Sequence, residues 1–217
     1  MISKRIKFIA SLLDANDKVL DVGTDHALLP IYLVKNNLVK KADGSDISNT
    51  VLDNARKNLQ KYNLTNKINL FCTDGVKDID INEYDTLVIT GMGFYTIKGI
   101  LDDKKVQSIN KMIIQTNNNY EDLRRYINSI GFKIVKDVYI LDKKKTYLII
   151  MAEKGTQELS ENEYICGLFD PNNMWYYRFI TNKLGKLLKG IPKDENSSIK
   201  RELENYKKYL AKEKIED

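Results

Sequence analysis

The sequence predicts an α/β fold: a doubly wound, mostly parallel sheet of seven strands with an antiparallel hairpin at one edge, followed by a pair of long helices. Three observations predict it. Through the first 130 residues, apolar stretches of strand length alternate with amphipathic stretches of helical length, the pattern of a parallel sheet covered on both faces and joined by right-handed crossovers. The last two apolar stretches are joined only by "DKKK", too short for a crossover helix, so they pair antiparallel. From residue 171 onward no strand run occurs.

Each element has a local reason. Residues 1 to 13, "MISKRIKFIASLL", are basic and then apolar, but they lack a small-residue cleavage site and lead straight into the first strand, so they read as an opening amphipathic helix. Strands are expected at 18–22, 41–47, 68–73, 85–90, 111–116, 133–141 and 145–153, with helices at 27–36, 49–62, 94–102 and 120–130 between them. In the second of these helices Ser48 is a good N-cap, and Leu52, Ala55, Leu59 and Tyr62 form one apolar stripe. Gly131 ends the 120–130 helix at the C′ position. Five strands linked by helices plus a terminal hairpin is the order of class I methyltransferases, a Rossmann-like sheet. Beyond it, two helical stretches flank "GIPKDENSS", with Gly190 as a stop and Ser197 or Ser198 as a cap. Met174, Tyr177, Thr181, Leu184 and Leu188 line one helix and Ile199, Leu203, Tyr206 and Leu210 the other, which predicts an antiparallel coiled coil. The expected division is 1–155 for a cofactor-binding domain and 156–217 for the helical domain.

Composition narrows the function. The 217 residues are 42% hydrophobic and 30% charged with three prolines, the balance of an ordered globular chain. The longest apolar runs, such as "TYLIIMA", fall far short of the ~20 residues a membrane span needs. Cys72 and Cys166 lack C-x-x-C spacing, as in a reduced cytoplasmic protein. One histidine and two scattered cysteines do not make a conventional zinc site, so no metal is expected. The net charge is +5, and all of the excess lies in residues 1 to 155, with 24 Lys+Arg against 19 Asp+Glu, since residues 156 to 217 hold 11 of each. That distribution favours an RNA partner without requiring one. A monomer is expected.

In an open parallel sheet the ligand crevice lies at the carboxyl ends of the strands. The first strand ends in Asp21-Val22-Gly23-Thr24-Asp25-His26, where Gly23 permits a tight turn and the following helix aims free N–H groups at the same place. Carboxylates here would repel a pyrophosphate, and G-x-G-x-x-G is absent, which disfavours a nicotinamide dinucleotide. Asp21 and Asp25 suit instead a ligand carrying a sulfonium and an ammonium, as S-adenosylmethionine (SAM) does. Strand two ends at Asp46-Ile47, about 20 residues beyond the glycine turn, where an acid accepts hydrogen bonds from ribose hydroxyls. Strand three ends at Thr73-Asp74-Gly75, where the acid can receive the adenine amine and the glycine leaves room for the ring. Three acids at three successive strand ends point to a SAM site, with contacts expected from Asp21, Gly23, Thr24, Asp46, Ile47, Asp74, Gly75, Gly91 and Met92. Strand four ends in Thr90-Gly91-Met92-Gly93-Phe94, where a substrate ring can approach the backbone at Gly93 and Phe94 or Tyr95 can stack on a base. Strand five ends in Gln115-Thr116-Asn117-Asn118-Asn119, an amide cluster able to read a base edge or to cap the next helix, with function favoured for Gln115 and Asn117. On the helical hairpin, Arg178, Lys183 and Lys186 can meet phosphates.

Together, "SKRIKFIA", "DVGTDHALLP", "DGV", "GMG" and the helical hairpin resemble the TrmK family, bacterial tRNA (adenine-22-N1)-methyltransferases. The resemblance covers essentially the whole chain, and Asp-His in the first turn is its most specific part. Two departures stand out: Phe94 follows "GMG" where the family usually has a further glycine, and Thr116 stands where it has proline in Q-P-N. The resemblance implies methyl transfer from SAM to N1 of an adenine in the tRNA D-arm. It implies Asp25 as the group that stabilises or deprotonates the product, His26 as its orienting or relaying partner, Asn117 beside the reacting base and Arg5 on a phosphate. The rival reading is a SAM-fold protein that only binds RNA or a protein partner through its helical hairpin.

Overall fold

A computed structural model of the chain describes residues 2–190 and 197–212. Its centre is one seven-stranded sheet in the order β3-β2-β1-β4-β5-β7-β6, formed by β1 (Lys18–Val22), β2 (Lys41–Asp46), β3 (Leu70–Cys72), β4 (Thr86–Met92), β5 (Lys111–Thr116), β6 (Phe132–Asp142) and β7 (Lys145–Lys154). The first five strands are parallel, and β7 pairs antiparallel with both β5 and β6. The strand order reverses between β1 and β4, so their carboxyl ends frame the crevice.

Helices α1 (Lys4–Ala10), α2 (Leu28–Lys35), α3 (Asn49–Lys61), α4 (Phe94–Leu101) and α5 (Tyr120–Ser129) follow the expected periodicity. Ser48 caps α3 by accepting from the Val51 N–H, and Leu52, Ala55 and Leu59 are its buried stripe. The opening helix is shorter than expected, because Ser3 caps it and Ser11 already ends it. Strand β3 is also shorter, as an edge strand paired only with β2. Strand β4 runs two residues further than expected: Gly91, at φ +84°, makes an irregularity between Thr90 and Met92 that lets pairing with β5 resume.

The helices α6 (Glu161–Cys166), α7 (Met174–Leu187) and α8 (Ser197–Lys212) lie over the sheet. Tyr177, Leu184, Leu203, Tyr206 and Tyr209 belong to the same buried cluster as Ile134, Tyr139 and Leu148 of the edge hairpin. Residues 191–196 of the expected interhelical loop lie outside the described residues. Beneath these helices Arg124 and Asp137 form a fully buried pair (Nε to Oδ2 2.6 Å), and Arg124 also donates to the Tyr164 and Ile165 carbonyls. One residue thereby ties α5, β6 and α6; removing either partner would strand a buried charge at a cost of about 3–5 kcal/mol. Among the described residues no helix is long and apolar enough to cross a membrane, and no three potential metal ligands meet.

Candidate active site

The turn after β1 is strapped to its neighbour: the N–H groups of Gly23 and Thr24 both donate to the Ser45 carbonyl at 2.8 and 2.9 Å. Gly23 adopts φ +73°, and a methyl group there would lie 2.1 Å from Met92 Cε, so the bare backbone lets Met92 cover the turn. Asp25 and Ala27 also take left-handed conformations, which hold the Asp25 and His26 side chains outward at the start of α2. Such conformations are uncommon outside glycine and worth noting at a crevice.

Two carboxylates of this turn live in different environments. Asp21 is buried and accepts from the Thr24 hydroxyl at 2.7 Å. Burial pushes its carboxyl up to about 6, against the Thr24 hydrogen bond and the nearby Arg5, which pull it down. Asp25 is exposed, with its carboxylate 3.5 Å from His26 Nε2. Asp46 is pinned at the end of β2 by the Ser48 N–H (2.9 Å), and Asp74, at the end of β3, pairs with Lys77 at 2.5 Å. Gly75 has φ +66° and faces Ile100, which a Cβ would approach to 3.3 Å.

These residues surround two adjoining cavities. The first, about 430 Å³, is lined by Asp46, Ile47, Thr73, Asp74, Gly75, Val76, Tyr95 and Ile100 among others. The second, about 290 Å³, is lined by Arg5, Asp21, Thr24, Asp25, His26, Thr90 and Gly91 among others. Gly23, Asp46 and Met92 line both. All the acidic strand-end residues expected at a cofactor, together with Asp25, His26 and Arg5, thus come together at one crevice.

The amide cluster, expected to read a base edge or to cap the next helix, divides by burial. Gln115 is only 1% exposed; its Oε1 accepts from Arg5 Nη1 (2.8 Å) and Gly91 N–H (3.1 Å), while Nε2 donates to Thr116 O (2.9 Å) and Asn117 Oδ1 (3.1 Å). It reaches the crevice only through Arg5 and Gly91. Asn117 is exposed and donates to the Gly91 carbonyl at 2.8 Å. Asn118 caps α4 rather than α5, accepting from the Phe94 N–H at 2.9 Å. Gly93 is the N-cap residue of α4 and packs beside that amide.

Phe94, expected against the substrate, is instead 7% exposed and packed in the core edge-on to Tyr126, because the phase of α4 turns it inward. The next residue, Tyr95, is 75% exposed and lines the first cavity. Arg178, Lys183 and Lys186 lie on α7 and line neither cavity. Sequence reasoning missed Tyr147, whose ring lies 4.9 Å beneath the Arg5 guanidinium, and Asp142, which accepts from the Arg5 N–H. Both contacts span more than 130 residues of sequence and leave no local signal.

Comparison with known proteins places this arrangement. A family described as a methyltransferase domain matches residues 2–150. A Mycoplasma genitalium protein named "Putative tRNA methyltransferase MG248" is 34% identical over 155 residues, 70% of this chain and 69% of its own. The Bacillus subtilis tRNA (adenine(22)-N(1))-methyltransferase is 27% identical over 159 residues, covering 72% of this chain and 67% of its own. The structure of M. capricolum TrmK in complex with S-adenosyl-homocysteine superposes with a TM-score of 0.84 at 31% identity, over 97% of this chain and 98% of that one. The chain belongs to the TrmK family.

The two residues read from the sequence as departures from the TrmK pattern both make contacts within the chain. Phe94 sends its ring into the core, so it does not narrow the crevice. Thr116 donates its hydroxyl to the Asn118 carbonyl at 2.9 Å, a hydrogen bond that ties the loop after β5.

Proposed function

We propose that the protein transfers the methyl group of SAM to N1 of adenine 22 in the D-arm of tRNA, as a cytoplasmic, monomeric enzyme. The observation that carries this reading is the meeting of two cavities at Gly23, Asp46 and Met92, one the size of a nucleoside and walled by acids, the other lined by Asp21, Asp25, His26 and Arg5. The chemistry of the first suits a cationic adenosyl group: Asp46 would accept the ribose hydroxyls, Asp74 the adenine amine, and Ile47, Gly75 and Met92 would flank the ring. Asp21, Gly23, Thr24 and Gly91 would hold the amino-acid end. Charge-assisted hydrogen bonds of this kind contribute roughly 1.5–3 kcal/mol each.

Bound SAM supplies the methyl group on a sulfonium. Adenine N1 carries an in-plane lone pair, so the chain needs no nucleophile of its own, and its main contribution is alignment, worth up to ~7–11 kcal/mol. N1 lies on the Watson–Crick edge, so the base must leave its stack to be reached. Asp25 would stabilise the positive charge that develops on the ring or take a proton from its exocyclic amine, with His26 orienting that carboxylate or relaying the proton. Asn117, on the rim beside Gly91, would contact the base, and Gly93 leaves it room. Arg5, held by Gln115, would meet a phosphate. In this reading residues 1–155 carry the chemistry and 156–217 grip the tRNA through Arg178, Lys183 and Lys186.

The test is incubation with labelled SAM and unmodified tRNA, followed by primer extension. A block at adenine 22 supports the reading; SAM binding without transfer would favour a non-catalytic RNA- or protein-binding module.

A further inference from the structure

A third cavity, of about 390 Å³, lies where α5, β7, α7 and α8 meet, away from the two already described. Its walls are aromatic, from Tyr120, Tyr176, Phe179 and Tyr206, and its polar groups are Lys183, Glu202 and Glu121. Phe179 is 53% exposed, an unusual place for a phenyl ring, and Trp175 one turn earlier on α7 is also exposed. Tyr176 is backed by Tyr139 in a near-parallel stack, which fixes its ring.

The placement relates this cavity to the crevice. Strand β7 runs antiparallel to β5, so its first residues project past the carboxyl end of β5, on the edge of the sheet where the crevice lies. Thr146 lines the aromatic cavity, while the next residue, Tyr147, carries Arg5 of the second cavity. Successive residues of a strand point to opposite faces. The aromatic cavity and the reaction cavity therefore stand back to back at one strand end. Immediately before Thr146, the exposed hairpin tip presents Lys143, Lys144 and Lys145.

A ligand for this site needs a flat apolar face for the rings, a hydrogen-bond donor for Glu202 and an anion for Lys183 and the hairpin lysines. Those three requirements describe a nucleotide. A base bearing an exocyclic amine meets the second requirement best, since it offers a carboxylate more donors than uracil does. Burial raises the Glu202 carboxyl above its ordinary range while Lys183 pulls it down, so the group gains from a donor that fills the cavity.

We propose that this cavity receives a second unstacked base of the tRNA, an amino-bearing one, stacked on Phe179 and Tyr176 with its edge toward Glu202 and its phosphate on Lys183 and the hairpin tip. The inference rests on the tRNA reading above and deepens it. Extruding an adenine from a folded arm exposes neighbouring bases as well, and a stacking platform on the back of the same strand end lowers the cost of holding the arm open.

The experiment places 2-aminopurine singly at each D-arm position of a tRNA and follows its fluorescence on binding to the full chain, with methyl transfer to adenine 22 measured on the unlabelled tRNA. The expected result is a position other than 22 whose fluorescence changes on binding, a change that is altered in Phe179→Ala and restored in Phe179→Trp. Phe179→Ala and Glu202→Gln should each weaken tRNA binding, Phe179→Ala by about tenfold as expected for one lost stack, with SAM affinity unchanged as the check on folding. Methylation at adenine 22 with no second position whose fluorescence response depends on Phe179, or with tRNA affinity unchanged in both variants, would overturn this inference alone. No tRNA binding or transfer by the unsubstituted protein would overturn the tRNA reading and this inference with it.

Discussion

The Gln115 side-chain carbonyl accepts from the Arg5 guanidinium at 2.8 Å and from the Gly91 N–H at 3.1 Å, so one buried amide fixes both the N-terminal helix and the end of β4 against the crevice. Gln115→Ala would remove the acceptor that Arg5 and Gly91 share, and with it the buried amide that joins them. We expect a loss of about 1–3 kcal/mol in urea denaturation. The kcat/KM for tRNA should fall by about tenfold or more, a larger change than in SAM affinity. Unchanged kinetics in a folded Gln115→Ala protein would mean that Arg5 needs no positioning.

The Asp21 carboxyl gives the protein a pH signature. Its folded pKa, about 6, lies above the ordinary 3.8, so as pH rises the unfolded chain releases this proton first. The contribution of Asp21 to stability therefore falls between about pH 4 and 6, and the cost, about 3 kcal/mol, is complete above that window. Asp21→Asn keeps an acceptor for Thr24 and removes the titration. The difference in unfolding free energy between the two proteins should change across pH 4 to 6 and level off above it; a difference independent of pH would contradict the assignment. Because a cationic cofactor favours the ionised carboxylate, SAM affinity should fall on acidification below about pH 6 in the unsubstituted protein only.

Asp46 and His26 should separate binding from chemistry. Asp46 lines both cavities, whereas His26 lines only the second. Asp46→Ala should raise the SAM Kd by about tenfold or more, the worth of a lost charge-assisted hydrogen bond. His26→Ala should leave that Kd nearly unchanged in calorimetry and slow single-turnover transfer. Equal losses of SAM affinity in both variants would refute the division.

Met92 packs over Gly23, and its terminal methyl group would have to move to admit a side chain there. Gly23→Ala would place a methyl group 2.1 Å from Met92 Cε on backbone at φ +73°. We expect a destabilisation of about 1–3 kcal/mol from backbone strain alone, together with weaker SAM binding. Adding Met92→Ala should recover only part of the loss, because it removes the collision and not the strained φ. Full recovery in the double variant would show that the backbone conformation is not required.

Much of this architecture was legible in local sequence. Strand-helix alternation, the Ser48 cap and the stripe of α3 are set within a few residues, and so were the acids Asp21, Asp46 and Asp74 at successive strand ends. What was not legible depends on distant partners. The role of Gln115 is set by Arg5, 110 residues away, and the choice between Phe94 and Tyr95 is set by packing against Tyr126. Helix α6 left only one trace, the Ser160 and Glu163 capping box, in a stretch too short for periodicity. The irregularity at Gly91 looked like a strand end because a glycine with positive φ reads the same in both cases.

The measurement that bears most directly on the account is single-turnover methyl transfer from labelled SAM to two unmodified tRNA transcripts that differ only at position 22. Transfer to the transcript with adenine there, recovered as N1-methyladenosine, and none to the transcript with guanine is the predicted result. Equal transfer to both transcripts, or SAM binding with transfer to neither, would contradict it.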